Sequence, residues 1–137
     1  MNIIIVDKNA DIPIWKDLLD DWKVDFQERG HYVDGPYAKL IEGDDQNVES
    51  YKIRDLDKYQ IALAHPNYIQ KDGGSIAELN VLNKEIKKRP EFRVIFYSGD
   101  TQFEKHIDMR QSSQVYYICK DEKFAFQRII ELIENGW

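Results

Sequence analysis

The chain has 137 residues, 42% of them hydrophobic and 32% charged, with a formal net charge of −6. That balance belongs to one folded domain spanning residues 1–137 with a real core, not to a disordered segment. The acidic surplus argues against a general nucleic-acid binder, whose phosphate contacts need clustered Lys and Arg. Neither a charged leader nor a long apolar stretch opens the sequence, so no signal peptide or membrane span is expected and the cytoplasm is the default compartment.

In chain order, the first apolar run is Ile3–Val6, read as a strand that stops at Asp7. Trp15, Leu18, Leu19, Trp22 and Phe26 then recur at helical spacing and make one apolar stripe, on which both tryptophans are core residues. Residues 30–58 form an atypical segment, broken by Gly30, Gly35, Pro36 and Gly43. A short edge strand at Tyr37–Ile41, a turn at Gly43–Asp45 and a short helix at Val48–Leu56 are expected there.

The run Ile61–Ala64 ends abruptly at His65 and Pro66, the pattern of a strand buried on both faces. Ser75, with Glu78 three residues on, is a capping box that opens a helix striped by Ile76, Leu79, Leu82 and Ile86. Its end, Lys87–Arg89, reads as solvated. Val94–Tyr97 and Val115–Cys119 are two further strands, with a weaker helix over Gln102–Arg110 between them. Cys119, the lone cysteine, excludes an internal disulfide and reads as a buried, inert strand residue. A last helix carries Phe126, Ile129, Ile130 and Ile133 and stops at Gly136. Trp137 reads as a frayed terminus, an interface anchor being the alternative.

Apolar runs without alternation, separated by amphipathic helices, imply a doubly wound α/β fold: a parallel sheet with helices on both faces. In such sheets ligands sit beyond the carboxyl ends of the strands. Asp7-Lys8, His65-Pro66, Ser98-Gly99 and Lys120-Asp121 would converge on that crevice.

Those strand ends, in order, resemble the receiver domain of two-component response regulators, the CheY-like fold, across nearly the whole chain. IIIVDK stands where receivers carry a strand ending in paired acids, and YQIALAH where they end a strand in the phospho-accepting aspartate. Gly73 follows His65 at the usual distance. VIFYSG supplies the hydroxyl residue Ser98 and the small Gly99, and YYICK supplies the lysine, Lys120. Tyr117 falls on the position of the switch aromatic. The resemblance implies a five-stranded, flavodoxin-like three-layer α/β/α architecture, a protein partner (a histidine kinase or another signalling protein), and a homodimer as a further option.

The departures are specific. Receivers hold Mg²⁺ through two acids after the first strand plus the acceptor carboxylate; here Asp7 is followed by Lys8, and His65 replaces the acceptor. Mg²⁺ demands hard oxygen ligands in near-octahedral geometry, which an imidazole does not supply. Asp121 after Lys120 departs from the usual proline. The expectation is a degenerate pocket of Asp7, Lys8, His65, Ser98 and Lys120, without bound metal, cofactor or ordinary aspartyl phosphorylation. Lys120 paired with Asp7 would imitate the charge-balanced pocket, and His65 would fill vacated space rather than ligate a metal or carry a phosphoryl group. No second ligand is spaced to help it hold zinc, and His31 and His106 are not expected nearby.

The leading reading is therefore a stand-alone pseudo-receiver that signals through protein contact. The alternative is a flavodoxin-like module holding a small anion or nucleotide among Lys8, Ser98 and Lys120, although no glycine-rich phosphate loop accompanies them. An enzyme using His65 and Asp7 as an acid–base pair comes last, since no nucleophile or metal set joins them.

Overall fold

A computed structural model describes residues 1–7, 10–38, 40–42, 52–53, 55–65, 76–98, 113–119 and 124–136. Five strands, β1 (Asn2–Val6), β2 (Tyr32–Tyr37), β5 (Ile61–Ala64), β6 (Arg93–Ser98) and β7 (Val115–Cys119), form one all-parallel sheet in the order β2-β1-β5-β6-β7. The order reverses at β1, an interior strand next to the β2 edge, which sets a crevice beyond its carboxyl end. Helices α1 (Pro13–Glu28), α2 (Ile76–Lys88) and α3 (Ala125–Asn135) cover the two faces.

Side-chain alternation sorts the core. Ile3, Ile5, Ile61, Leu63, Ile95 and Ile118 point towards α1 and α3, where they meet Leu19, Phe26, Ile129 and Ile133. Ile4, Ala62, Ala64, Val94 and Phe96 point the other way, towards Leu82 and Ile86 of α2. Each fully buried aliphatic or aromatic side chain contributes about 1.5–3 kcal/mol, so the three central strands, apolar on both sides, dominate the hydrophobic contribution. Of the stripe predicted for α2, Leu82 and Ile86 are buried, and of that predicted for α3, Ile129, Ile130 and Ile133 are buried and Phe126 half-buried. On α1 the packing is narrower than its stripe: Leu19 and Phe26 are buried, Trp15 and Trp22 are half-buried, and Leu18 is exposed. A helix lying on a sheet buries only about 100° of its circumference, and Leu18 falls outside that arc.

The segment 30–58 departs from expectation. The edge strand lies earlier, at Tyr32–Tyr37, not at Tyr37–Ile41. Ile41 instead opens β3 (Ile41–Glu42), which pairs antiparallel with β4 (Lys52–Ile53) through Ile41↔Ile53 and Glu42↔Lys52. Lys52–Ile53 therefore replaces part of the helix expected at Val48–Leu56; β-branched Ile53 beside an antiparallel partner favours the ladder. The helix expected at Gln102–Arg110 lies outside the described residues, as do Ser75 and Trp137.

β2 itself is irregular. Its register on β1 runs Ile4↔Asp34 and then Val6↔Tyr37, so one extra residue is accommodated at a bulge around the cis Gly35–Pro36 peptide. Gly35 has φ +99° and lies against the Ile5 carbonyl. Lys23 Nζ reaches across from α1 and donates to the Gly35 carbonyl at 2.8 Å.

Arg89, expected to be solvated, is the anchor of the opposite end of the sheet. Its guanidinium donates to the carbonyls of Leu56 at 2.9 Å and Tyr59 at 2.7 Å and to Glu85 Oε1 at 2.9 Å, and lies over the Phe92 ring. Its side chain is only 14% exposed, and that of Glu85 only 11%. Gln114 closes the arrangement by donating to the Arg89 and Phe92 carbonyls. Lys87 and Lys88, by contrast, are solvated as expected.

Candidate functional site

The alternation that sorts the core also places the polar strand ends. Ile3, Ile5 and then Asp7 share one face of β1; Ile61, Leu63 and then His65 share it on β5; Ile95 and then Tyr97 share it on β6. The ladder registers Val6↔Ala64 and Ala64↔Phe96 make the next row Asp7, His65, Tyr97, side by side on the α1/α3 face. The His65 N–H continues the ladder to the Val6 carbonyl at 3.0 Å.

In that row Tyr97 contacts both other members. Its hydroxyl donates to Asp7 Oδ2 at 2.6 Å, and the Asp7 residue is only 1% exposed. A hydrogen bond to a buried carboxylate is worth roughly twice a neutral one. The His65 ring, also buried, meets the Tyr97 ring edge-on with centroids 5.4 Å apart. On its far side Tyr97 packs edge-on against Trp22, which stacks on Phe126 at 5.0 Å. Tyr97 was absent from the candidates read from the sequence. The available signal was chemical: a phenol inside an apolar interior strand, VIFYS, must find an acceptor for its hydroxyl.

Of the expected pocket, the structure thus brings Asp7 and His65 into one row. Lys8, Lys120, Gly73, Gly99 and His106 lie outside the described residues, as do the side chains of Ser98 and Cys119. Tyr117 is on the opposite face: its ring stacks on Phe96 at 5.8 Å with the hydroxyl enclosed. His31 is distant as expected, with Nε2 3.5 Å from Glu134 at the end of α3.

The row does not fit Mg²⁺. Asp7 contributes the only carboxylate of the three side chains, one of its oxygens accepts the Tyr97 hydroxyl, and His65 offers nitrogen where the ion needs oxygen. Among the described residues, no group of three or more His, Cys, Asp or Glu could hold a metal ion.

A second polar cluster sits on the α2 face at the β2 bulge. Asp34 accepts from the Tyr37 hydroxyl at 2.5 Å, from the Tyr59 hydroxyl, and from the Gly35 N–H at 3.1 Å, with Lys58 Nζ at 3.9 Å. Burial alone would raise the Asp34 pKa, but these donors and the Lys58 charge together hold it below the ordinary value of 3.8. The tyrosine pays the converse: burial and the adjacent carboxylate push the Tyr59 hydroxyl well up. A depressed folded-state pKa makes Asp34 stabilising wherever the unfolded carboxyl is ionised, and that contribution is lost as pH falls through the folded value. The melting-temperature gap between wild type and Asp34→Asn is therefore expected to be constant above about pH 5 and to close below about pH 4. A gap unchanged at pH 2.5 would show that the carboxylate charge is not what these donors stabilise.

No family model matches the sequence, and no curated protein matches it either. Solved structures do. A CheY-like response regulator receiver domain protein from Methanospirillum hungatei JF-1 superposes with a TM-score of 0.61 at 20% identity, covering 98% of this chain and 90% of that one. A two-component response regulator from Clostridium difficile gives 0.56 at 17% identity, over 97% and 93%. The response regulator DrrB of Thermotoga maritima, an OmpR/PhoB homolog, gives 0.57 at 16% identity; it is matched by 98% of this chain, which spans 52% of its length. The fold is that of a CheY-like receiver. The five parallel strands and their order correspond to the expected architecture, and the β3–β4 hairpin lies in the segment that was expected to be atypical for a receiver. Among the described residues, no helix of this receiver fold is long and apolar enough to cross a membrane.

Proposed function

We propose that this receiver-fold domain is a pseudo-receiver: a signalling module that acts through protein contact and is not switched by ordinary aspartyl phosphorylation. The observation that carries the reading is the Asp7–His65–Tyr97 row. Asp7 is enclosed and hydrogen-bonded by the Tyr97 hydroxyl. The β5 end, where receivers keep the accepting carboxylate, bears an imidazole, which cannot form an acyl phosphate. On this reading the family's chemistry lacks both its acceptor and an oxygen-rich metal site, while the five-stranded receiver sheet is kept. Tyr117, held against Phe96 on the other face, belongs to that sheet as the switch aromatic in its inward position. The natural partner class is a histidine kinase or another signalling protein.

Incubation with Mg²⁺ and acetyl phosphate followed by intact-mass measurement tests the reading. The expected result is an unchanged mass, with a conventional receiver in the same buffer gaining one phosphoryl group. A labile adduct on this chain would overturn the reading.

A further inference from the structure

At the end of the sheet opposite the Asp7–His65–Tyr97 row, a pocket of about 240 Å³ opens between two elements. One wall is the turn Asp55–Asp57, which leads into β5. The other is the face of α2 that carries Val81, Lys84, Glu85 and Lys88, a spacing that puts all four on one side of a helix. Leu56, 3% exposed, and half-buried Val81 supply its apolar part. Hydrogen bonds hold both walls in place. Arg89 donates to the Leu56 carbonyl and to Glu85 Oε1, and Asp55 Oδ1 accepts the Asp57 N–H at 2.9 Å, which fixes the turn.

The charges on the walls sort into paired and unpaired. Lys88 Nζ lies 3.1 Å from Asp57 Oδ1, and Glu85 is taken by Arg89 at 2.9 Å. Asp55 and Lys84, both exposed, line the same pocket from its two walls. Among the described residues neither forms an ion pair, with the other or with any third group. With Arg89 behind Glu85, the carboxylates of Asp55, Asp57 and Glu85 are balanced by the cations of Lys84, Lys88 and Arg89. A net anion or a net cation would meet its own sign on one wall. A zwitterion meets the opposite sign on both.

We propose that this pocket binds a free α-amino acid with an aliphatic or aromatic side chain, its ammonium on Asp55, its carboxylate on Lys84 and its side chain laid on Leu56 and Val81. Small-molecule sites pair an apolar lining with a few placed polar groups. The volume falls below the roughly 300 Å³ at which pockets for drug-sized ligands begin, which restricts the occupant to about the size of one amino acid. Leu56 and Glu85 both line the pocket and both bond Arg89, so occupancy acts on the fastening between α2 and the turn that starts β5. The site lies away from the strand carboxyl ends and stands independently of whether the domain is phosphorylated.

The test is isothermal titration calorimetry of the intact chain with L-leucine, L-valine, L-methionine and L-phenylalanine, followed by an amide NMR titration that locates the site. At least one of the four is expected to bind saturably, with a Kd on the order of 0.1–1 mM for so few atoms, and to shift residues 55–57 and 81–89. The amide of that amino acid, which lacks the carboxylate, and its des-amino acid, which lacks the ammonium, should each bind about tenfold more weakly, one charge-assisted contact having been lost. Asp55→Asn keeps the oxygen that accepts from the Asp57 N–H; it and Lys84→Gln should each weaken binding about tenfold. Both should leave the melting temperature of the unliganded protein within about 1 °C, since each removes an exposed, unpaired charge. Lys87→Gln, on the solvated side of α2, should change neither quantity. No binding by any of the four at about 10 mM, or shifts confined to other residues, would overturn the proposal. So would equal affinity for the amide or the des-amino acid, or undiminished binding in Asp55→Asn or Lys84→Gln. A phosphoryl adduct in the mass experiment would sink the pseudo-receiver reading alone and leave this titration to stand or fall separately.

Discussion

Arg89→Ala is expected to lose about 2–4 kcal/mol of folding free energy, somewhat below the range for breaking a fully buried ion pair. The cost has three parts. Glu85 is left in a nearly enclosed site without its guanidinium, the Leu56 and Tyr59 carbonyls lose their donor, and the Phe92 ring loses its cover. Leaving such acceptors unpaired costs more than the net value of the bonds themselves. Arg89→Lys should lose about half as much, because an ammonium has the charge but not the planar fork that reaches two carbonyls and a carboxylate together. Urea unfolding checks both: the midpoint should fall at an unchanged slope. A loss below about 1 kcal/mol for the alanine variant would place Arg89 among the solvated helix-end residues after all. The effect matters for the candidate site because Arg89 fastens the end of α2 to the turn that starts β5, the strand that delivers His65.

The second large effect belongs to Gly35→Ala, expected to cost about 3 kcal/mol. A Cβ built at Gly35 would stand 2.6 Å from the Ile5 carbonyl oxygen, closer than atoms tolerate, and φ +99° is in any case a conformation suited to glycine. The obstructing atom is backbone of the interior strand β1 and cannot swing aside as a side chain would. Hydrogen exchange should locate the damage, with amides of β2 losing protection while those of β5 and β6 retain it. Uniform loss of protection would mean that the bulge is coupled to the whole domain, and no loss would mean that β1 gives way.

Most of the architecture was legible because its determinants are local in sequence. Ile61–Ala64 and Val115–Cys119 are strands with the predicted bounds, and Ile3–Val6 and Val94–Tyr97 are each extended at their ends. Uninterrupted apolar runs of four or five residues leave little room for another reading. What escaped depended on partners distant in the chain. Arg89 looked like the last basic residue of a helix because nothing nearby shows that the turn at Leu56 and Tyr59 will be packed beneath it. The helix expected at Val48–Leu56 gave way at Lys52–Ile53 to pairing with Ile41–Glu42, a choice made by a strand ten residues away. Leu18 fits the apolar period of α1, yet periodicity does not say how wide an arc the sheet covers. For the candidate site, the placement of Asp7 and His65 at neighbouring strand ends followed from the parallel sheet alone. Tyr97 did not, since its role appears only when β6 is set beside β5 and β1 within reach of its phenol.

The two borders of the sheet carry unequal risk. β2 is defended on its own terms: Pro36 lacks an N–H, the bulge at Gly35 breaks the repeat, and Asp34 holds a charge in mid-strand. β7, at the other border, reads VYYIC, with no proline, no charge and a regular register on β6. Such a segment is a template for intermolecular hydrogen bonding. Under heat or mild denaturant, aggregation is expected to start where β7 adds a strand from a neighbour, and Tyr116→Lys is expected to slow it, as light scattering during a thermal ramp would show.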